Sequence, residues 1–223
     1  MARVRWLGHA CFEIQLGQTV ILVDPWLEGN PQAPLKPSDL SKVDLVCVTH
    51  DHGDHLGDAF EICKRTGASF LATYELGVQA EQQGVSNVLG INIGGTVKVK
   101  DVEVTMVHAF HTAGRGAPTG FILKGEGKTV YHAGDTGLFG DMKLIGELYQ
   151  PYLALIPIGG YYTMGPREAV EAVKLLKPKV VIPMHYGSLP VLEPSAEKFV
   201  DLASREKLPA EIVVLKPGES YSF

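Results

Sequence analysis

Four apolar runs in this chain each end in a potential metal ligand, and no other feature restricts its fold as strongly. Leu45-Val46-Cys47-Val48-Thr49 runs into His50, and Val104-Thr105-Met106-Val107 into His108 and His111. Thr129-Val130-Tyr131 runs into His132 and Asp135, and Val180-Val181-Ile182-Pro183-Met184 into His185. Short apolar runs bounded by turn signals read as strands. Rigid strands fix where each side chain starts, and the loops leaving them let several side chains converge. Four such ends can build one pocket.

The intervening pattern supplies the framework. Val4 to Leu7, Cys11 to Leu16 and Thr19 to Val23 read as a β-meander, the last two strands joined at Gly17-Gln18 and the third ending in Asp24-Pro25. Residues 28–42 are rich in Pro, Gly, Asn and Ser, which predicts a covering loop and not a helix. Asp58 to Thr66 and Tyr74 to Gln83 read as helices around a short strand, Ser69 to Ala72. Strands follow at Val88 to Ile91, Thr96 to Lys100, Val102 to Val107, Phe121 to Leu123 and Thr129 to Tyr131. Thereafter helices at Met142 to Tyr149, Pro166 to Leu176 and Ser195 to Glu206 alternate with strands at Leu153 to Pro157, Val180 to Ile182 and Ile212 to Leu215. Two strand-rich segments, each followed by helices, predict an α/β fold of four layers, an αββα sandwich. No shift in composition divides the chain, so residues 1–223 are expected to form one domain.

Composition narrows the function. The 223 residues are 45% apolar, ample for a core, and 20 Lys+Arg against 25 Asp+Glu leave a net charge of −5. That acidity argues against nonspecific nucleic-acid binding, which relies on a clustered positive surface. No apolar run approaches the roughly 18 residues that span a bilayer, so no membrane insertion is expected. The start, Met1-Ala2-Arg3-Val4-Arg5-Trp6, passes directly into alternating residues with no signal-peptide core, which makes the cytoplasm the expected location. Cys11, Cys47 and Cys63 are odd in number and lack C-x-x-C spacing, so they are expected to be buried thiols.

The segment His50-Asp51-His52-Gly53-Asp54-His55 packs three imidazoles and two carboxylates into six residues. Imidazoles two apart can face the same side of a turn, while Asp54 and His55 face another direction. That geometry suits two metals: His50, His52 and a distant histidine for one, Asp54, His55 and another distant histidine for the second. A carboxylate between them would offset charge, and Asp135 in Ala133-Gly134-Asp135-Thr136 is placed for that bridge.

With Asp24 ending an early strand, and His111, Gly134-Asp135 and His185 following in order, Thr49-His50-Asp51-His52-Gly53-Asp54-His55 resembles the metallo-β-lactamase superfamily over almost the whole chain. Gly8-His9, Ala109-Phe110-His111, His132-Ala133-Gly134-Asp135-Thr136, Thr163-Met164-Gly165-Pro166 and Pro183-Met184-His185-Tyr186 resemble a narrower family of uncharacterised metal-dependent hydrolases related to ascorbate-6-phosphate lactonase. The resemblance implies one site of His50, His52 and His111, a second of Asp54, His55 and His185, a bridging Asp135, and Asp24 orienting a ligand. Departures narrow the chemistry further. No Cys follows Cys63, whereas two-zinc β-lactamases place one in the second site, so antibiotic hydrolysis is disfavoured. Flavodiiron relatives carry Glu where His52 stands, and RNA-processing relatives carry a large insertion where only 50 residues separate Asp135 from His185 (185 − 135). A small-molecule substrate is expected and a long polynucleotide is not.

The expected activity is hydrolysis by two divalent ions, Zn²⁺ with Mn²⁺ or Fe²⁺ as alternatives. They would share a bridging hydroxide that attacks an ester-, lactone-, thioester- or phosphodiester-type bond, with Asp54 as the catalytic carboxylate. The rival readings are a metal-binding sensor or assembly subunit, and an iron-dependent redox enzyme. Related enzymes suggest a homo-oligomer. His108 is expected to stand outside the ligand set, and His132 to be structural; His9 is read equally as lining the pocket or packing in a turn. The segment Thr112-Ala113-Gly114-Arg115-Gly116-Ala117-Pro118 reads as a lid, an anion contact or a mobile hairpin, and Tyr161-Tyr162 as pocket wall or ordinary packing.

Overall fold

The computed structural model describes residues 1–223. Strands β1 (Arg3–Trp6), β2 (Phe12–Leu16) and β3 (Thr19–Val23) form an antiparallel meander, onto which β4 (Leu45–Cys47), β5 (Ser69–Thr73) and β6 (Val88–Ile91) add in parallel. The second sheet begins antiparallel with β7 (Thr96–Val99), β8 (Val102–His108), β9 (Thr119–Gly125) and β10 (Lys128–His132). It continues in parallel through β11 (Leu153–Pro157), β12 (Val180–Met184) and β13 (Glu211–Ile212). The last strand, β14 (Ser220–Ser222), returns to pair with β1, so each sheet has seven strands. Helices α1 (Gly53–Leu56), α2 (Ala59–Thr66) and α3 (Tyr74–Gln82) follow strands of the first sheet, and α4 (Met142–Tyr149), α5 (Pro166–Leu176) and α6 (Glu197–Arg205) strands of the second.

Period-2 alternation separates the layers. Ile21 and Val23 of β3, Leu45 and Cys47 of β4, and Leu71 of β5 belong to the core shared with the second sheet. Their alternating neighbours Leu22, Val46, Phe70 and Ala72 pack instead with Ala59, Ile62, Leu76 and Ala80 of α2 and α3. Across the shared core lie Val104, Met106, Phe121, Leu123 and Leu155, with Ile145, Ala169, Val173 and Phe199 of the outer helices packed in the same cluster. Each large apolar side chain so buried contributes about 1.5–3 kcal/mol relative to exposure. A register slip of one residue would exchange the two faces, so this alternation pins the strands that carry the site. The predicted αββα sandwich is the observed architecture.

Several boundaries differ from expectation for local reasons. The polar burst after β4 includes a one-turn helix, α1, with His52 as its N-cap. A single 3-10 turn, Pro37–Asp39, interrupts the loop at 28–42. The predicted strand Ile212 to Leu215 is displaced to Glu211–Ile212; Val213 still donates to the Val181 carbonyl, after which the chain leaves the sheet toward Pro217-Gly218. The polar strand Ser220–Ser222 had no apolar alternation to announce it. All three cysteines are buried and unpaired, and no helix is long and apolar enough to cross a membrane.

Candidate metal centre

Strand direction brings the site together. Strands β1, β3 and β4 point one way in the first sheet, and β8, β10, β11 and β12 share one direction in the second. The segments leaving them carry His9, Asp24, His50 to His55, His111, Asp135 and His185. Three of these residues are held at positive φ: His9 at 53°, Asp24 at 48° and His185 at 59°. Such backbone costs of order 1–3 kcal/mol per residue and persists only where surrounding bonds impose it. Here they do. The His185 amide donates to the His9 carbonyl at 3.0 Å, the Asp24 amide to the Cys47 carbonyl at 3.0 Å, and the His9 amide to Gln32 Oε1 at 2.9 Å.

One group of possible ligands is His50, His52 and His111, whose nitrogens lie within 4.8 Å of one another. Proton accounting fixes the direction of His50. The Thr49 hydroxyl donates to Asp24 Oδ2 at 2.7 Å, so His50 Nδ1, 3.0 Å from that hydroxyl, must be the donor to it. Its Nε2 lone pair is left pointing toward His52 Nδ1, 2.9 Å away. A second group joins Asp54, His55, His185 and His9, and a third, His50, His55 and Asp135, shares His50 with the first and His55 with the second. His55 Nδ1 donates to Asp24 Oδ2 at 2.8 Å, which turns its Nε2 lone pair toward Asp135.

Asp135 Oδ1 lies 3.3 Å from His55 Nε2, and Oδ2 lies 3.0 Å from His185 Nε2 and 3.7 Å from His111 Nε2. Yet His55 Nε2, His185 Nε2 and Asp135 Oδ1 are buried with no hydrogen-bond partner. Unpartnered buried groups of this kind cost about 1–3 kcal/mol each. Nitrogen lone pairs and carboxylate oxygens that converge without bonding one another suit a divalent cation, and the all-nitrogen-and-oxygen donor set accepts zinc, manganese or iron.

The electrostatics point the same way. Burial, reinforced by the neighbouring His55, pushes the His50 pKa down to about 2, so its ring is neutral at physiological pH. Burial likewise takes His9 down to about 4, against the pull of its Asp54 hydrogen bond. For Asp135 burial works against ionisation, but His185 and His55 outweigh it and hold the carboxyl well below its usual range. Burial also opposes charge on His55, yet Asp135 and Asp24 raise its pKa well above the usual value. Those two carboxylates therefore favour a positive charge at this ring, either a proton on Nε2 or a cation beside it.

All seven sequence-predicted site residues, His50, His52, Asp54, His55, His111, Asp135 and His185, fall into these groups, with Asp24 behind them. His9 completes the second group. Its signal was available in the sequence: in a β-meander the turn after the first strand lies at the same end as the residue leaving the third, which is Asp24. His108 joins none of the groups and packs edge-on against Phe139, with ring centroids 4.4 Å apart. His132 is fully buried and structural, donating from Nε2 to the Ala10 carbonyl at 2.9 Å and accepting the Gly134 amide at Nδ1. In the segment 112–118, the Gly114 amide donates to Asp51 Oδ1 at 2.8 Å, tying this loop to the histidine-rich one. Tyr161 and Tyr162 are both exposed and stack edge to face at 4.8 Å.

Comparison with known proteins matches residues 19–186 to the Beta-lactamase superfamily domain. A UPF0173 metal-dependent hydrolase of Methanopyrus kandleri is 52% identical, over 98% of this chain and 99% of that protein. One from Thermofilum pendens is 50% identical over the full length of both. Among solved structures, a metallo hydrolase from Ignicoccus hospitalis superposes with a TM-score of 0.93 at 41% identity, covering 100% of this chain and 99% of that one.

Proposed function

The chain belongs to the metallo-β-lactamase superfamily and is a metal-dependent hydrolase, and we propose that it binds two divalent cations and hydrolyses an ester-type bond in a small molecule. The observation that carries the two-cation reading is that His50, His52 and His111 form one donor group and His9, Asp54, His55 and His185 another, joined by a third of His50, His55 and Asp135. Asp135 reaches residues of both groups, which suits a bridging carboxylate. Zinc fits this donor set first, with manganese or iron(II) as substitutes. When bound, such ions supply Lewis acidity and a water acidified to near neutral pH.

The chain's own groups supply the rest. Asp54 is the most open carboxylate of the cluster, its side chain 28% exposed against 3% for Asp135. It is the group to take the proton of the attacking water and return it to the leaving oxygen. His50 and His55 are oriented through Thr49 and Asp24, so their lone pairs need no rearrangement during turnover. Carboxylic and phosphate esters are the favoured substrates, with lactones and thioesters as the related class.

The test is metal analysis together with a panel of generic lactone, thioester, phosphodiester and amide substrates. Two ions per chain are expected, with hydrolysis lost in Asp54→Asn and His111→Ala while circular dichroism is unchanged. Full activity in either variant would overturn the site assignment. A single iron per chain would replace hydrolysis with the redox reading.

A further inference from the structure

His9 is a fully buried imidazole that the hydrolytic scheme above does not use. Its place is imposed from several directions at once. The carbonyl accepts from Trp6 Nε1 at 3.0 Å and from the His185 amide at 3.0 Å, and the ring lies edge-on to Trp26 with centroids 5.1 Å apart. The His185 ring centroid is 3.9 Å away. Both ring nitrogens have partners: Nδ1 lies 2.6 Å from Ser188 Oγ, and Nε2 lies 3.2 Å from Asp54 Oδ2.

A neutral imidazole has one N–H to give. Were it on Nδ1, the Nε2 lone pair would face a carboxylate oxygen at 3.2 Å, lone pair against lone pair. With the proton on Nε2, the ring donates to Asp54, and Nδ1 accepts the hydroxyl proton of Ser188, for which the structure shows no other partner. In that tautomer neither nitrogen keeps a lone pair free for a cation, although His9 lies among the donors of the second group.

We propose that His9, with its tautomer set by Ser188, is a positioning residue that engages one oxygen of Asp54 and leaves the other for the second cation. The proposal rests on the two-cation reading. It assigns Ser188, buried three residues after His185, the outermost place in a chain running Ser188, His9, Asp54. Partners of this kind govern ligand orientation, and their loss costs about 10- to 100-fold in metal affinity.

The experiment is zinc titration of the metal-free protein in competition with a chromophoric chelator, supported by the visible spectrum of the cobalt(II) form. Wild type, His9→Leu, His9→Gln and Ser188→Ala are compared. Leu and Gln meet the same backbone strain at φ 53°, but only Gln can place an amide N–H near the Nε2 position. In His9→Leu the affinity of one ion is expected to fall about 10- to 100-fold, with the other ion unchanged. His9→Gln should recover most of that loss, and Ser188→Ala should show a smaller loss confined to the same ion. Equal affinities in wild type and His9→Leu, or equal losses in Leu and Gln, would overturn the proposal. Should His9→Leu not fold, an unchanged Ser188→Ala titration does so. A wild-type stoichiometry of one ion would instead overturn the two-cation reading. The role of His9 would then stand or fall on whether Leu weakens that ion more than Gln does.

Discussion

Asp24 Oδ2 accepts the Nδ1 proton of His55 at 2.8 Å, and both side chains are fully buried. The same carboxylate accepts the Thr49 amide at 2.8 Å and the Thr49 hydroxyl at 2.7 Å, so one residue leaving β3 sets both His55 and the entry to His50. Asp24→Asn keeps the size but offers an amide N–H2 where only acceptors satisfy the site. If that group faces His55, the imidazole must accept at Nδ1 and carry its proton on Nε2, which blocks the lone pair. The expected outcome is a loss of about 10- to 100-fold in affinity for the ion held by His55, read by chelator competition. Affinity equal to wild type would remove Asp24 from this role.

Gly134→Ala is predicted to disable the site through the backbone. Gly134 has φ 62°, and a Cβ there would overlap the Thr119 carbonyl oxygen and stand 3.0 Å from Thr49 Cβ. The neighbouring Asp135 would be displaced with it. Gly127 is the control, since its φ is 71° but a Cβ there meets nothing within 4 Å. Gly127→Ala should cost only the left-handed strain, about 1–2 kcal/mol, whereas Gly134→Ala should cost about 3 kcal/mol or more. At roughly 2–4 °C per kcal/mol for a chain of this size, calorimetry should separate the two. Equal Tm values for the two variants would show that the close contact is relieved without cost.

Those two glycines mark what the sequence conveys and what it does not. Both have positive φ, but only the packing of Thr49 and Thr119 distinguishes the tight position from the open one. His50 to His55 were legible because their donors are contiguous, and Asp24, His111, Asp135 and His185 because each leaves a strand-like run in the superfamily's order. His9 was ambiguous because its partners, Ser188 and Asp54, lie 179 and 45 residues away. The outer strand at Ser220–Ser222 escaped because a short polar edge strand carries no alternation, its pairing being backbone to backbone with β1. Long parallel crossovers, by contrast, were visible as alternating strands and helices.

An ion pair between the sheets gives a pH-dependent prediction. Lys100, in the β7–β8 turn, donates to Asp44 just before β4, and Asp44 Oδ2 also accepts the Val20 amide at 2.8 Å. Burial alone would raise the Asp44 pKa, but these hydrogen bonds overcome it and hold the carboxyl below its ordinary range. A folded-state pKa below the unfolded one adds stability that is complete above the usual carboxylate range and is lost as pH falls through the depressed value. Asp44→Asn should therefore be less stable than wild type at pH 7 by about 1–2 kcal/mol, since the Lys100 side chain is half-exposed. Denaturant midpoints should converge as the pH is lowered from the usual carboxylate range through the depressed value. A gap that persists undiminished in acid would assign the effect to shape and not to charge.

Asp135 gives the widest prediction, because its two oxygens face different groups. Oδ1 is directed to His55, while Oδ2 lies within 3.7 Å of both His185 and His111. Replacing it should weaken both ions, whereas His9→Leu should weaken one, so the pair of variants tests whether the cluster is one coupled centre or two independent ones. Zinc at 100 times its dissociation constant stabilises a folded protein by about 2.7 kcal/mol per site, or roughly 5–11 °C in a chain of this length. Wild type should show that rise on adding zinc to metal-free protein and lose it with a chelator. Asp135→Asn should show little rise at the same zinc concentration. Its own metal-free Tm follows from a separate balance: the carboxylate is ionised beside His185 and His55, and removing its charge leaves His55 with Asp24 as its remaining anionic partner. The metal-free variant should therefore be less stable than metal-free wild type. Two full-strength zinc sites in Asp135→Asn would show that the histidine groups hold their ions without a shared carboxylate.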